Sequence, residues 1–127
     1  MGVYEQLADA INAREPRLIV QSGAIPPPKP EEGPCVLIDG TPGAPNARNL
    51  PGDGRTMLDT WFARCISNSP TGAFKISGIV IDAWDNLHVS DGYVQIFDVS
   101  NEPLQDTQMI IENQWSITVI AQHVRSK

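Results

Sequence analysis

Between Thr56 and Leu87 the spacing of apolar positions changes period. From Thr56 to Ser67 the chain alternates, with Met57, Trp61, Ala63 and Cys65 on one parity and Leu58, Phe62 and Ile66 on the other. A strand written this way carries apolar groups on both faces, so it needs a helix on one side and a further sheet or a neighbouring subunit on the other. Asp59 and Arg64 interrupt the two faces, which places them at a strand end or an interface. After Ser67, Asn68, Ser69 and Pro70, the residues Phe74, Ile76, Ile79, Val80, Ala83, Trp84 and Leu87 recur at helical spacing. Ser69 is the expected N-cap, because its hydroxyl can accept from a free amide of the first turn, and Pro70 suits the first helical position, where no amide is needed. Gly78 inside this helix costs about 1 kcal/mol relative to Ala, and a close approach of helix to sheet is the expected reason.

The same reading extends to both ends. Val3, Tyr4, Leu7, Ala8 and Ile11 form the stripe of a first amphipathic helix that Pro16 closes, and the stretch 17–20 is a short strand. Cys35 to Ile38 is a second strand inside a segment, 22–55, that holds eight Pro and six Gly. Ala24 to Pro34 predicts a polyproline-like connector, since each Pro fixes its backbone angle and removes a donor, and 39–54 predicts a long extended loop. Asp91 and Gly92 signal a turn before the strand Tyr93 to Val99. Thr107 to Glu112 and Gln114 to Val124 predict one long strand or two with a bulge near Asn113, followed by an exposed tail from Arg125 to Lys127. The expected fold is a single α+β domain over 1–127. It has a mainly antiparallel sheet with two helices on one face, the order α-β-β-β-α-β-β, and long Pro/Gly-rich loops at 22–34 and 39–55.

Composition narrows the partners. The net charge of -6, with nine scattered Lys and Arg, opposes binding to nucleic-acid phosphates, whose affinity comes from cations releasing counterions. No apolar run approaches the roughly 18 residues of a membrane span, and no leader pattern opens the chain. Cys35 and Cys65 lack metal or redox spacing and sit in apolar strand patterns, which predicts two reduced structural thiols.

Candidate chemistry is sparse. His88, expected at the end of the second helix, and His123, expected near the end of the last strand, read as surface or helix-terminal histidines; a catalytic pair would require them to converge beside a serine or carboxylate. Asp82, Asp85 and Asp91 do not match the spacing of a calcium loop, and the glycines of 40–54 form no phosphate-binding pattern. Trp61, Trp84 and Trp115 are each in phase with the apolar positions of their own element, as packing anchors are. The expectation is no catalytic residue, no cofactor, no metal and no enzyme.

The strand from Thr60 to Ser67 entering the helix that starts at Ser69, together with the N-terminal helix, the long Pro/Gly-rich excursion and the closing strand from Trp115 to Val124, resembles the tail terminator (tail completion) proteins of long-tailed bacteriophages. The resemblance spans nearly the whole chain and rests on element order. It departs from the family in the length of the connections within 22–55. It implies an α/β subunit that assembles with itself into a hexameric ring. Such a ring sits on the last ring of tail tube protein, halts its polymerisation and joins it to the head-to-tail connector, or stopper. It further implies a place in the virion, at the tail or neck, after assembly in the host cytoplasm, with DNA passing through an acidic lumen that holds it nowhere. On that basis Asn46, Arg48, Asn49 and Arg55, the polar side chains best placed on the long loop, are expected at protein interfaces. The alternatives are a head-to-tail stopper or neck protein, a small-molecule binding module or small enzyme with its pocket near Trp84 and His88, and an adaptor that binds peptides along a sheet edge.

Overall fold

A computed structural model describes residues 2–23, 34–41, 56–100, 104–105 and 115–126. Helix α1 (Val3–Arg14) is followed by β1 (Ile19–Ser22), β2 (Cys35–Thr41), β3 (Thr56–Ser67), helix α2 (Pro70–Trp84), β4 (Leu87–His88), β5 (Tyr93–Val99), β6 (Leu104–Gln105) and β7 (Trp115–Ser126). The strands form one mixed sheet in the order β1-β2-β3-β7-β5-β4, with β6 paired to β7 as well. The order α-β-β-β-α-β-β is therefore present, with the two-residue strands β4 and β6 added to it. Every described pairing is antiparallel except that of β1 with β2. A parallel pair requires a crossover of about a dozen residues, and that requirement explains why the connection after β1 is long.

The centre of the sheet is the pairing of β3 with β7, in register from Thr56 opposite Ser126 to Ser67 opposite Trp115. Their alternation decides where the core lies. Ala63 and Cys65 of β3, Val119 and Ala121 of β7, Val36 and Ile38 of β2 and Val94 of β5 pack under Leu7 and Ile11 of α1 and Ile76, Val80, Ala83 and Trp84 of α2. Both helices thus lie on one face. The Trp84 indole N–H donates to the carbonyl of Leu7 at 3.1 Å and ties the end of α2 to α1 inside this core.

Local sequence sets the helix ends. Gly72 N–H donates to Ser69 Oγ at 3.0 Å with Pro70 in the first turn, so the cap forms as its residues predict. Helix α1 stops at Arg14, with Glu15 as C-cap and Pro16 beyond it. At the other end of α2, Asn86 takes φ 59, a left-handed conformation that Asn tolerates better than most residues and that ends a helix.

Several expectations are corrected. Helix α2 ends at Trp84, so His88 lies on β4 instead of at a helix terminus. Gly78 is exposed, and an added Cβ would meet nothing within 4 Å, so no close helix–sheet approach explains it. Phe74, assigned to the apolar stripe, is 49% exposed. The first strand lies two residues later than expected, at Ile19–Ser22. Arg125 and Ser126 are no loose tail but the end of β7, opposite Met57 and Thr56. Among the described residues a bulge lies in β5, between Ile96 and Asp98. The anticipated strand 107–112 and bulge near Asn113 lie outside the described residues.

Candidate assembly surface and a polar cluster beside it

The second face of the sheet is built by the opposite parity of the same strands. Leu58 lies opposite Val124 and Phe62 opposite Ile120; these four are half-buried, and Cys35, Leu37 and Ile66 form a small buried cluster beside them with Ile19 packed against it. Among the described residues no helix covers this face, since both helices pack on the other. The two-sided apolar pattern of β3 is therefore present, with one side closed by helices and the other covered by no described helix. Phe97, on the β5 bulge, is 65% exposed, and Tyr93 on the same strand is 38% exposed. Single exposed aromatics are ordinary; their place on the last long strand before the sheet edge puts them where a neighbour can reach.

At one end of the sheet, three polar side chains of β3 and β7 meet the turn between β4 and β5. Arg125 donates from Nε to Asp59 Oδ2 at 2.5 Å and from Nη2 to Asp59 Oδ1 at 3.4 Å. His123, only 1% exposed, sits with Nδ1 at 3.5 Å from the same carboxylate. Its Nε2 donates to the carbonyl of Asp91 in the turn after β4, which fixes the proton on Nε2, because a carbonyl can only accept. Bonding to Asp59 holds the Arg125 guanidinium above its ordinary pKa. The cluster clamps the turn at Gly92, whose φ of +92 suits glycine and whose missing Cβ would lie 1.8 Å from the carbonyl oxygen of Val124.

His123 is thus a buried, partnered side chain and not a surface histidine. The sequence did hold the signal: His123 shares parity with Ile117, Val119 and Ala121, and Asp59 shares it with Trp61, Ala63 and Cys65. A polar residue in phase with a core stripe has to find a partner, and each lies directly opposite the other across β3 and β7. His88 does not join them. It is exposed and packs its ring against Tyr93, with centroids 6.5 Å apart. The two histidines therefore do not converge, and no serine or cysteine hydroxyl or thiol bonds to His123 among the described contacts.

Trp84 is fully buried and its N–H is taken by Leu7, so the pocket anticipated near Trp84 and His88 is not formed by it. A cavity of about 410 Å³ instead adjoins the polar cluster, lined by Val3, Gly40, Thr41, Trp61 and the Asp59, Asp91, His123 and Arg125 groups. The Trp61 ring lies over Gly40, where a Cβ would come within 2.7 Å of it.

The thiols are structural. Both are buried and unpaired to each other. Burial pushes Cys35 up to about 11, against a smaller opposing effect of Arg64, and burial pushes Cys65 up to about 12, with Cys35 adding to it. Neither supplies the thiolate that a nucleophile or metal ligand requires. Among the described residues no group of His, Cys, Asp and Glu is arranged to hold a metal ion, and no helix is long and apolar enough to cross a membrane. Asn46, Arg48, Asn49 and Arg55 all lie outside the described residues.

The fold defines the chain as an α+β unit with one helix-covered sheet face and a second, partly apolar face. Two of the solved structures that share that fold match it over nearly their full lengths. One is a chain in the virion of a native gene transfer agent particle, 15% identical, with a TM-score of 0.57 over 98% of this chain and 92% of its own. The other is 20% identical, also with a TM-score of 0.57, over 97% of this chain and 90% of its own. No protein-family model matches the chain, and no curated protein matches it in sequence.

Proposed function

We propose that this chain is a structural protein of a phage-like virion, and within that class a tail terminator. Copies assemble into a ring, six-fold in the family it resembles, that caps the tail tube, ends its polymerisation and presents a surface to the head-to-tail connector. The observation that carries this reading is the full-length match of fold to a chain of a gene transfer agent virion. Two features of this chain support it. The sheet offers a half-buried apolar face built on Leu58, Phe62, Ile120 and Val124, the kind of surface that head-to-tail contacts in a closed ring cover. Two helices of 12 and 15 residues fit a terminator better than a stopper of the β-barrel type. In this reading the protein is not an enzyme; it works by surfaces, and the acidic balance of the chain keeps DNA from adhering as it passes.

The test is assembly. Native mass measurement of the purified protein, alone and with tail tubes, should show a closed oligomer or its formation on tube ends, and tubes grown with it should stop at uniform length. Deleting residues 42–52, which removes Asn46, Arg48 and Asn49, should leave a folded chain that no longer caps. Tubes of unregulated length in the presence of the intact protein would refute the terminator, and uniform tubes with the deletion variant would refute the role of the loop.

A further inference from the structure

The outward face of α2 carries two features that packing among the described residues does not explain. Gly78 is exposed, with nothing within 4 Å of where a Cβ would stand, yet glycine weakens a helix interior. Phe74, one turn earlier, is 49% exposed, an apolar ring left in water. At about 100° per residue, Gly78 lies at the centre of the face opposite the buried positions Ala73, Ile76, Val80 and Ala83. Phe74 and the half-buried Ile81 border it on one side, and the exposed Lys75 and Asp82 border it on the other. A missing side chain at the centre, apolar groups along one border and opposite charges along the other make a surface whose complement is itself.

We propose that α2 pairs antiparallel with α2 of a second copy of this chain, across a two-fold axis at Gly78. The notch at Gly78 lets the two helices approach to about 8 Å, the short end of the usual range. Lys75 stands about 4.5 Å before Gly78 along the helix and Asp82 about 6 Å after it. Reversing one helix therefore sets Lys75 against Asp82 of the partner subunit, and the two-fold axis makes that pair twice. On the other border the same operation sets Phe74 against Ile81 of the partner subunit, again twice, and removes both from water. A parallel pairing would instead lay the charged border of one helix along the apolar border of the other, so the chemistry of the face selects the direction. The contact is isologous, hence distinct from the head-to-tail contacts of a ring, and it does not rest on the ring reading above.

The test is cross-linking of the full chain, because this contact sets position 78 against its own copy. The native thiols Cys35 and Cys65 are buried. Under mild oxidant Gly78→Cys should form a covalent dimer, with its Cα atoms at the roughly 4 to 7 Å that a disulfide spans. Thr71→Cys, exposed on the same face but about 20 Å from its own copy in this pairing, should not. Adding Asp82→Lys to Gly78→Cys places like charges opposite each other and should slow cross-linking about five- to tenfold, with the loss shrinking at high salt; adding Lys75→Asp as well should restore the rate. Cross-linking at 78 no faster than at 71, or a rate that Asp82→Lys leaves unchanged at low salt, overturns the pairing. If Gly78→Cys loses its helical circular dichroism, a mixture of Lys75→Cys and Asp82→Cys chains decides, since each should join the other faster than itself. A ring without cross-linking at 78 refutes the pairing alone, whereas cross-linking in a chain that never closes a ring refutes the ring alone.

Discussion

Replacing Trp84 by Phe tests whether one side chain at the end of α2 joins the two helices to the sheet. Trp84 is fully buried in the main core, and its N–H donates at 3.1 Å to the Leu7 carbonyl, 77 residues away in sequence. Phe retains the ring that packs on the core but removes that bond, worth about 1 kcal/mol, and removes the ring atoms whose space the neighbours fill only in part, worth about 1 to 2 kcal/mol more. The sum, roughly 2 to 3 kcal/mol, is a large share of the roughly 5 to 15 kcal/mol that holds a domain folded. It should lower Tm by about 6 to 15 °C for a chain of this size. Urea unfolding followed by helical circular dichroism measures it, at one low protein concentration so that self-association does not enter the comparison. Trp115→Phe, at a half-buried position on β7, is the control and should cost under about 1 kcal/mol. A Trp84→Phe variant within about 0.5 kcal/mol of wild type would show that the α1–α2 tie is not what it is described to be.

Gly92→Ala should destabilise by about 2 kcal/mol or more and loosen the β4–β5 turn, because φ is +92 and the new Cβ would meet the Val124 carbonyl; faster hydrogen exchange at Val89 and Val124 would report it, and a wild-type Tm would refute it. Gly78→Ala acts in the opposite direction, raising stability by about 1 kcal/mol, since the position is exposed, helical and free of neighbours; a loss of stability would show a contact that this surface position lacks here. The thiols give a pH dependence. With folded values of about 11 and 12 against an ordinary 9.0, the unfolded chain loses these protons first, so stability falls as pH rises from 9 toward 11. A Cys35→Ala, Cys65→Ala variant should show a shallower fall of Tm over that window, and an unchanged slope would rule out the buried thiols as its source.

How much of this was legible in sequence follows from which forces act locally. The α2 cap formed as written because Ser69 and Gly72 are three residues apart and need nothing distant. Period-two alternation located β3 and β7 because one face of each is buried, and a strand slipped by one residue would expose that whole set. The end of α2 is hidden from spacing because Leu87 continues the helical period, while Asn86 adopts a left-handed angle that spacing does not register. Propensity alone suggests a packing role for Gly78, yet the helix presents that position to solvent. The parallel pairing of β1 was not visible, since four residues carry too little pattern to show their direction.

The polar cluster shows the limit most clearly. Asp59 alone reads as a charge interrupting a strand, His123 alone as a histidine near a terminus, and Arg125 alone as part of a tail. Only the register that sets Asp59 opposite His123 brings three unremarkable residues into one cluster, and that register is a fact about β3 and β7 together. The same holds for Trp61: parity places it on the core side, but its position over Gly40 follows only from the pairing of β2 with β3. Long-range pairing thus decides which side chains meet at this end of the sheet. Local pattern decides only that the strands and helices exist, so the loop residues chosen from composition stand or fall on the deletion of 42–52, whereas the paired sheet is tested by Trp84→Phe and Gly92→Ala.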